Sequence, residues 1–174
     1  MAQNRSHYVF QGHASQFNGL DIWINDHETS LRQILEGKPL IMYGEWCYLK
    51  HSINYTNIPD YFICFDIYDK LEDKFYSRTR VEELLKDTNI AQVPVLETNK
   101  IITKREDLIP YLQTKSKYGD CKIEGIYVRL HDDENKYLVK RCKLVRPDFL
   151  PEKEETIHWS KKIPTKNKLD FDRT

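Results

Sequence analysis

The chain of 174 residues has the length of one domain, and a chain of this size can bury a hydrophobic core without cross-links. Its 27 basic and 27 acidic side chains cancel, which excludes a uniformly basic nucleic-acid coat but leaves local basic patches open. The four cysteines form no C-x-x-C pair and join no histidine cluster, and no apolar run has membrane-spanning length, so we expect reduced thiols in a cytoplasmic protein.

The first part of the chain contains a helical pattern between two extended ones. Residues 7–11 are short and indicate a strand, and residues 40–46 predict a longer one. Between them, apolar residues recur at helical spacing up to a stop at Gly37 and Pro39. The polar pair Asn25-Asp26 leaves open whether this region holds one helix or two. The apolar residues are Phe17, Leu20, Ile24, Leu31, Ile34 and Leu35.

The rest of the chain mixes strands and helices without a regular βαβ rhythm. Residues 47–60 indicate a loop, and residues 61–69 a strand whose alternate residues, Phe65 among them, share one face. Two stretches, 79–86 and 105–112, have helical character. Strands at 123–130 and 136–145 flank a polar turn and predict a hairpin. We therefore predict an α+β fold of mainly antiparallel sheets flanked by helices.

The domain organisation follows from a change in composition near residue 150. Residues 1–150 predict one domain, and residues 151–174 form a charged, lysine-rich C-terminal segment. The loop residues Lys50 and His51, and the basic segment at residues 158–162, are interpreted as surface elements.

Four short segments stand out together, although each is weak alone. They are Tyr-Gly-Glu-Trp at 43–46, Phe-Asp-Ile-Tyr-Asp at 65–69, Glu-Gly-Ile-Tyr-Val-Arg at 124–129 and Arg-Cys-Lys-Leu-Val-Arg at 141–146. In this order and spacing they resemble the motifs of the covalent nucleotidyltransferase superfamily, which includes DNA ligases, RNA ligases and capping guanylyltransferases. The run from Gly44 to Asp69 is most similar to ATP-dependent RNA ligases, and the resemblance extends from Asn4 to about Trp159.

The resemblance implies a nucleotidyltransferase (adenylation) domain that uses ATP and Mg²⁺ and acts on RNA ends. In that family an enzyme lysine attacks the α-phosphate of ATP, AMP passes to a 5′-phosphate, and a 3′-hydroxyl then displaces AMP and seals the strand. Such chemistry requires an aligned amine, cations that balance the phosphate charge, and a wall on which the base stacks.

Three residues match the family's contacts to the nucleotide and its metal ion. The resemblance implies that Glu45 hydrogen-bonds the ribose and that Phe65 stacks on adenine. It also implies that Glu124 helps to hold Mg²⁺ near the phosphate, since that ion prefers oxygen ligands. Each residue also has a structural alternative. Glu45 would be a surface glutamate at the end of a strand, Phe65 a core phenylalanine, and Glu124 a glutamate at the start of a strand. For Asp66 we predict only a structural hydrogen bond.

Three cations match the family's phosphate contacts. The resemblance implies that Lys143 contacts the α-phosphate, and Arg141, two residues earlier on the same strand, faces the same way. Arg141 stands where relatives often have lysine, so its charge is kept while its hydrogen-bond geometry differs. Arg5 matches the arginine that follows the nucleophile. The alternative for Lys143 and Arg141 is a basic strand face that points to solvent, although that interpretation fits Lys140 better. The alternative for Arg5 is a flexible arginine near the chain terminus.

No catalytic residue is assigned, because the sequence contains no Lys-x-Asp-Gly, the family motif whose lysine receives AMP. The resemblance places that motif before Arg5, and the nearest imitation, at residues 117–120, has the wrong order. We therefore expect a chain truncated before the motif and inactive alone. The alternatives are half of a split ligase whose separate partner chain supplies the motif, and a non-catalytic protein that binds a nucleotide or an RNA end. A weaker alternative is an enzyme that acts on DNA nicks or in cap guanylylation.

Overall fold

The architecture comes from a computed structural model that describes residues 1–50, 53–149 and 164–170. The predictions for His51 and for residues 158–162 lie outside this part of the chain. The helices are α1 (Leu20–Asp26), α2 (Glu28–Leu35) and α3 (Arg78–Leu85), with 3₁₀ helices at Ser15–Phe17, Arg105–Gln113 and Pro147–Phe149. The strands are β1 (Leu40–Trp46), β2 (Phe62–Asp69), β3 (Lys74–Phe75), β4 (Gly125–Asp132) and β5 (Tyr137–Val145).

The predicted α+β class with antiparallel sheets is confirmed. One sheet has the order β1-β2-β3, the other consists of β4 and β5, and all three strand pairings are antiparallel. None of the helices in the described ranges has the length and apolar composition needed to cross a bilayer.

The helical pattern before β1 forms two helices that meet at His27. This residue ends α1 and precedes α2, and its backbone has φ −108° and ψ 9°. The side chain is 2% exposed, and its Nδ1 donates to the Trp23 carbonyl at 2.8 Å. The break lies one residue after the Asn25-Asp26 pair because His27 anchors the junction to the core.

Strand β1 has the predicted bounds and alternates between a core face and an open face. Met42 and Trp46 pack against the main core, whereas Ile41, Tyr43 and Glu45 are exposed. This period of two is what a half-buried strand requires. The core cluster contains Trp23, Ile34, Cys64, Ile67, Tyr76, Val81, Leu85 and Ile90.

Strand β2 contains a bulge that corrects the predicted alternation. Cys64 and Asp66 pair with consecutive residues of β1, so Phe65 is an extra residue in β2. A bulge resets the alternation of side chains, and Cys64 and Ile67 consequently share the core although they are three residues apart. The prediction that alternate residues from Tyr61 to Ile67 share one face is therefore wrong.

The β4–β5 hairpin has one polar and one apolar face. Tyr127 pairs with Lys143 and Arg129 pairs with Arg141, and directly opposed residues point to the same side of a sheet. The other face packs on the 3₁₀ helix Arg105–Gln113. The helical character predicted for this segment takes the 3₁₀ form, and Pro110 inside it lacks the N–H that an α-helix needs there. The packed cluster contains Leu108, Leu112 and Ile126, joined by Val128 and Leu144.

Residues 164–170 lie along the loop between β1 and β2. Lys50 donates its backbone N–H to Thr165, and Ile58 donates to Lys168. Asn167 is 2% exposed, and its side chain accepts from the Tyr55 N–H and donates to the Cys47 carbonyl. This part of the predicted C-terminal segment therefore holds the loop that follows Glu45.

Candidate functional site

Asp66 joins the two sheets and defines the candidate site. It faces the same side of the first sheet as its β1 partner Tyr43, and it is 2% exposed. One carboxylate oxygen accepts from Arg141 Nη1 at 2.6 Å, and the other pairs with Arg129. The polar face of the hairpin therefore meets the open face of β1 and β2. We call this region the inter-sheet site; its charged residues are Glu45, Asp66, Glu124, Arg129, Arg141 and Lys143.

Lys143 and Glu124 form an ion pair in the inter-sheet site. The Lys143 Nζ lies 3.0 Å from Glu124 Oε1 and 5.8 Å from the centre of the Tyr127 ring. The hydrogen bond to Glu124 raises the pKa of Lys143, and the charges of Glu124, Tyr127 and Glu45 raise it further. Glu45 thus lies within electrostatic range of Lys143, although the two residues are 98 positions apart in the chain.

Tyr55, on the loop after β1, lies within electrostatic range of both glutamates. Burial raises the pKa of its phenol, and the neighbouring Cys47, Glu124 and Glu45 add to this effect. Because electrostatic effects fall with distance, a side chain that senses both carboxylates lies near both. Sequence reasoning missed Tyr55, which belongs to none of the recognised motifs.

Arg141 shares the polar face of the hairpin with Lys143 but has different contacts. Its guanidinium pairs with Asp66 and lies 4.4 Å from the centre of the Phe75 ring. Sequence reasoning also missed Arg129, although its position opposite Arg141 in the hairpin could have indicated it. The structural role predicted for Asp66 agrees with these contacts, since both arginines converge on it.

Phe65 reaches the inter-sheet site through its backbone. Its carbonyl accepts a hydrogen bond from Arg129 Nη1 at 3.3 Å, and its side chain is half-buried. It is absent from the core clusters of the described residues. The stacking of its ring on adenine stays a prediction.

Arg5 lies in a tight turn near the start of the chain. Val9 donates to the Ala2 carbonyl at 3.1 Å, which closes a small hairpin around an exposed Arg5. Val9 and Ala2 belong to a small core cluster that also contacts Trp46, the neighbour of Glu45. Within the described ranges, no hydrogen bond or ion pair connects the Arg5 side chain to the other predicted site residues, so its role stays a prediction.

The residues present fit a nucleotide phosphate better than an all-protein metal cage. The described residues contain no group of three or more His, Cys, Asp or Glu side chains arranged for a metal ion. Mg²⁺ commonly binds through one or two carboxylates together with substrate phosphates and water. Glu124, whose side chain is 44% exposed, suits one such ligand, and Lys143 beside it suits the phosphate.

Two surface cavities lie outside the inter-sheet site. One, of about 440 Å³, is on the apolar side of the hairpin, and the other, of about 380 Å³, lies beside His27 and Asp60. The residues that line them include none of the six predicted site residues.

Comparison with known protein families identifies a match over most of the chain. A family model described as RNA ligase matches residues 1–145. No curated protein and no solved structure matches the chain.

Proposed function

This chain belongs to the RNA ligase family, and we propose that it provides the adenylate-binding part of an ATP-dependent RNA ligase. The ligase would transfer AMP to a 5′-phosphate and seal the strand with a 3′-hydroxyl. The observation that carries the proposal is the Lys143–Glu124 ion pair with Glu45 within its electrostatic range. These residues come from three distant motifs, and the adenylate chemistry requires them in one place.

Each of the six site residues predicted from the sequence receives a role in this proposal. Lys143 balances the charge of the α-phosphate, and Glu45 accepts hydrogen bonds from the ribose hydroxyls. Phe65 provides the stacking surface for adenine. Glu124 holds Mg²⁺, which when bound neutralises phosphate charge. Arg141 and Arg5 add positive charge for the phosphates or the RNA end.

The final sealing step needs no nucleophilic lysine. The 3′-hydroxyl oxygen attacks the 5′-phosphorus, a phosphodiester bond forms, the bond to AMP breaks, and the hydroxyl proton is released to water. AMP leaves as an anion, so a cation at Lys143 would stabilise the charge that develops on it.

The first step needs an amine that we propose comes from outside these 174 residues. Since the sequence contains no Lys-x-Asp-Gly, that lysine would lie on a further segment of the same polypeptide or on a separate chain.

A sealing assay on pre-adenylylated RNA tests the proposal, because it bypasses the missing amine. The chain is mixed with a nicked duplex that carries 5′-AppRNA and a 3′-hydroxyl, with Mg²⁺ and no ATP. We expect sealing, and we expect Lys143→Ala to lower its rate by about 100-fold, the usual cost of removing one charge-stabilising group. Lys140→Ala, an exposed residue three positions away on β5, is the control and keeps the wild-type rate.

The second candidate function is a module that binds nucleotides or RNA ends without chemistry. The absence of Lys-x-Asp-Gly from the sequence favours it. Binding of the adenylylated duplex without any sealing would support this module and reject the ligase. A Lys143→Ala variant that seals as fast as Lys140→Ala would remove Lys143 from the proposed site.

A further inference from the structure

The cavity on the apolar side of the hairpin combines positive charge with an apolar floor. It has a volume of about 440 Å³, within the range of small-molecule sites. It lies between the 3₁₀ helix Arg105–Gln113 and the end of β5, away from the polar face that carries Lys143. Its lining contains the cations Arg105, Lys122 and Arg146, one acid, Asp148, and the apolar residues Ile109, Leu112, Leu144, Val145 and Pro147.

Arg146 is the most buried of the three cations. Its side chain is 14% exposed, and its ion-pair partner Asp148 is 3.4 Å away and 67% exposed. Its Nε is buried and has no hydrogen-bond partner among the described residues. The guanidinium also lies 4.8 Å from the centre of the Phe149 ring, so the group left unsatisfied is the buried Nε–H, and an unsatisfied buried donor costs free energy. An anion in the cavity would offset that cost.

Arg105 and Lys122 add charge at positions open to a ligand. Both residues are exposed, and Lys122 donates to the neutral side chain of Gln113. The three cations face a single carboxylate in the lining, so the cavity carries an excess of positive charge. Phosphate is the anion that such clusters of arginine and lysine commonly bind.

The apolar floor indicates that the anion carries a less polar group. Leu112 and Leu144 belong to the cluster that packs the hairpin on the 3₁₀ helix, so this floor is fixed by the core. Ile109 is 48% exposed at the cavity and offers a surface for a ring. A nucleotide combines these properties, with a charged phosphate at one end and a flat base at the other.

We propose that this cavity binds a nucleotide unit, with its phosphate among Arg105, Lys122 and Arg146 and its base or sugar on the apolar floor. The unit is a free mononucleotide or one residue of an RNA strand; the second source rests on the proposed ligase function. The Arg146 N–H donates to the Glu124 carbonyl at 2.9 Å. An RNA bound here would therefore lie against the backbone that carries the proposed Mg²⁺ ligand.

Binding measurements with two probes test the cavity. Isothermal titration uses AMP in one arm and a single-stranded, 5′-phosphorylated oligoribonucleotide in the other. The variant Arg105→Gln/Lys122→Gln changes two exposed side chains and preserves the core. We expect it to weaken one of the probes roughly tenfold or more. Lys86→Gln, an exposed position after α3, is the control and binds both probes as wild type does.

The two titrations distinguish a mononucleotide site from an RNA-strand site. Together with the sealing assay, they also distinguish failure of the cavity proposal from failure of the ligase proposal. Weakening of both probes identifies a mononucleotide site. Weakening of the oligoribonucleotide alone identifies an RNA-strand site, and the salt dependence of binding then falls by about 0.7 for each phosphate that the variant no longer neutralises. Unchanged affinity of the double variant for both probes overturns the cavity proposal, even if the chain seals adenylylated RNA. Weakened binding in a chain that seals nothing rejects the ligase and supports the cavity.

Discussion

Two buried carboxylates, Asp60 and Asp66, organise the molecule at the scale of single residues. Asp66 is the acceptor for two arginines of the hairpin, and Asp60 is the acceptor for Trp23 of helix α1. Asp60 Oδ2 accepts from Trp23 Nε1 at 2.8 Å and lies 2.9 Å from His27 Nε2. Its other oxygen accepts from the Tyr61 N–H at 2.7 Å. Removing a carboxylate with three such contacts at 3% exposure is strongly destabilising, because its partners are buried with it.

Replacement of Asp60 tests that stabilising role. Asp60→Ala removes the acceptor of the buried Trp23 N–H and the carboxylate that faces His27, so we expect the free energy of unfolding to fall by about 3 to 5 kcal/mol. Urea denaturation measures the change. The control is Asp87→Ala, an exposed position, which should stay within about 0.5 kcal/mol of wild type. A loss for Asp60→Ala as small as that of the control would mean that the contacts add little stability.

The sequence alone selects the residues of the proposed adenylate site but does not select Asp60. Glu45, Glu124 and Lys143 stand in motifs whose order carries a resemblance, so the order of the motifs along the chain is enough to select them. It is not enough for Asp60, because its partners Trp23 and His27 lie on α1 and at its end, far away in the chain.

At the scale of elements, Gly125 sets the contact between β4 and β5. A Cβ at this position would meet the Leu144 carbonyl oxygen and would lie 2.9 Å from the Val145 Cα. Both are backbone atoms of the partner strand and cannot turn away as a side chain can. The absence of a side chain at Gly125 thus permits the close approach of β5 beside Glu124.

Gly125→Ala is expected to lower the free energy of unfolding by about 1 to 3 kcal/mol, because the strands must separate locally. It should also slow sealing, since Glu124 and Lys143 sit at the same end of the hairpin. Gly119→Ala is the matched control: its Cβ would meet the Thr56 hydroxyl at 3.3 Å, and that side chain can move. Equal stability of the two variants would contradict the close packing described for Gly125.

Elements are predictable where the pattern is local. The sequence predicts strand β1 with its bounds because its alternation is regular and a Gly-x-Pro sequence precedes it. The bulge at Phe65 depends on pairing with β1, which no local pattern records. The same holds for residues 164–170, whose partners lie more than 100 positions earlier, as in the bond from Tyr55 to Asn167.

At the scale of the whole molecule, two small sheets face each other through charged side chains. The apolar sides of both sheets are covered, one by the helices and the other by the 3₁₀ helix Arg105–Gln113. Their polar sides meet at Asp66, with the Lys143–Glu124 pair farther along the hairpin. This arrangement leaves half-exposed charges between the sheets, and such charges suit a polar ligand more than a structural core.

The most direct test of the central proposal is an NMR titration of the ¹⁵N-labelled chain with AMP and Mg²⁺. If adenylate binds between the sheets, the backbone amide signals of Glu45, Phe65, Glu124 and Lys143 should shift and reach saturation. The Lys143→Ala variant should need a higher AMP concentration to reach the same shifts. Shifts confined to cavity residues such as Arg105 and Lys122, with the inter-sheet amides unmoved at saturation, would contradict the proposed site.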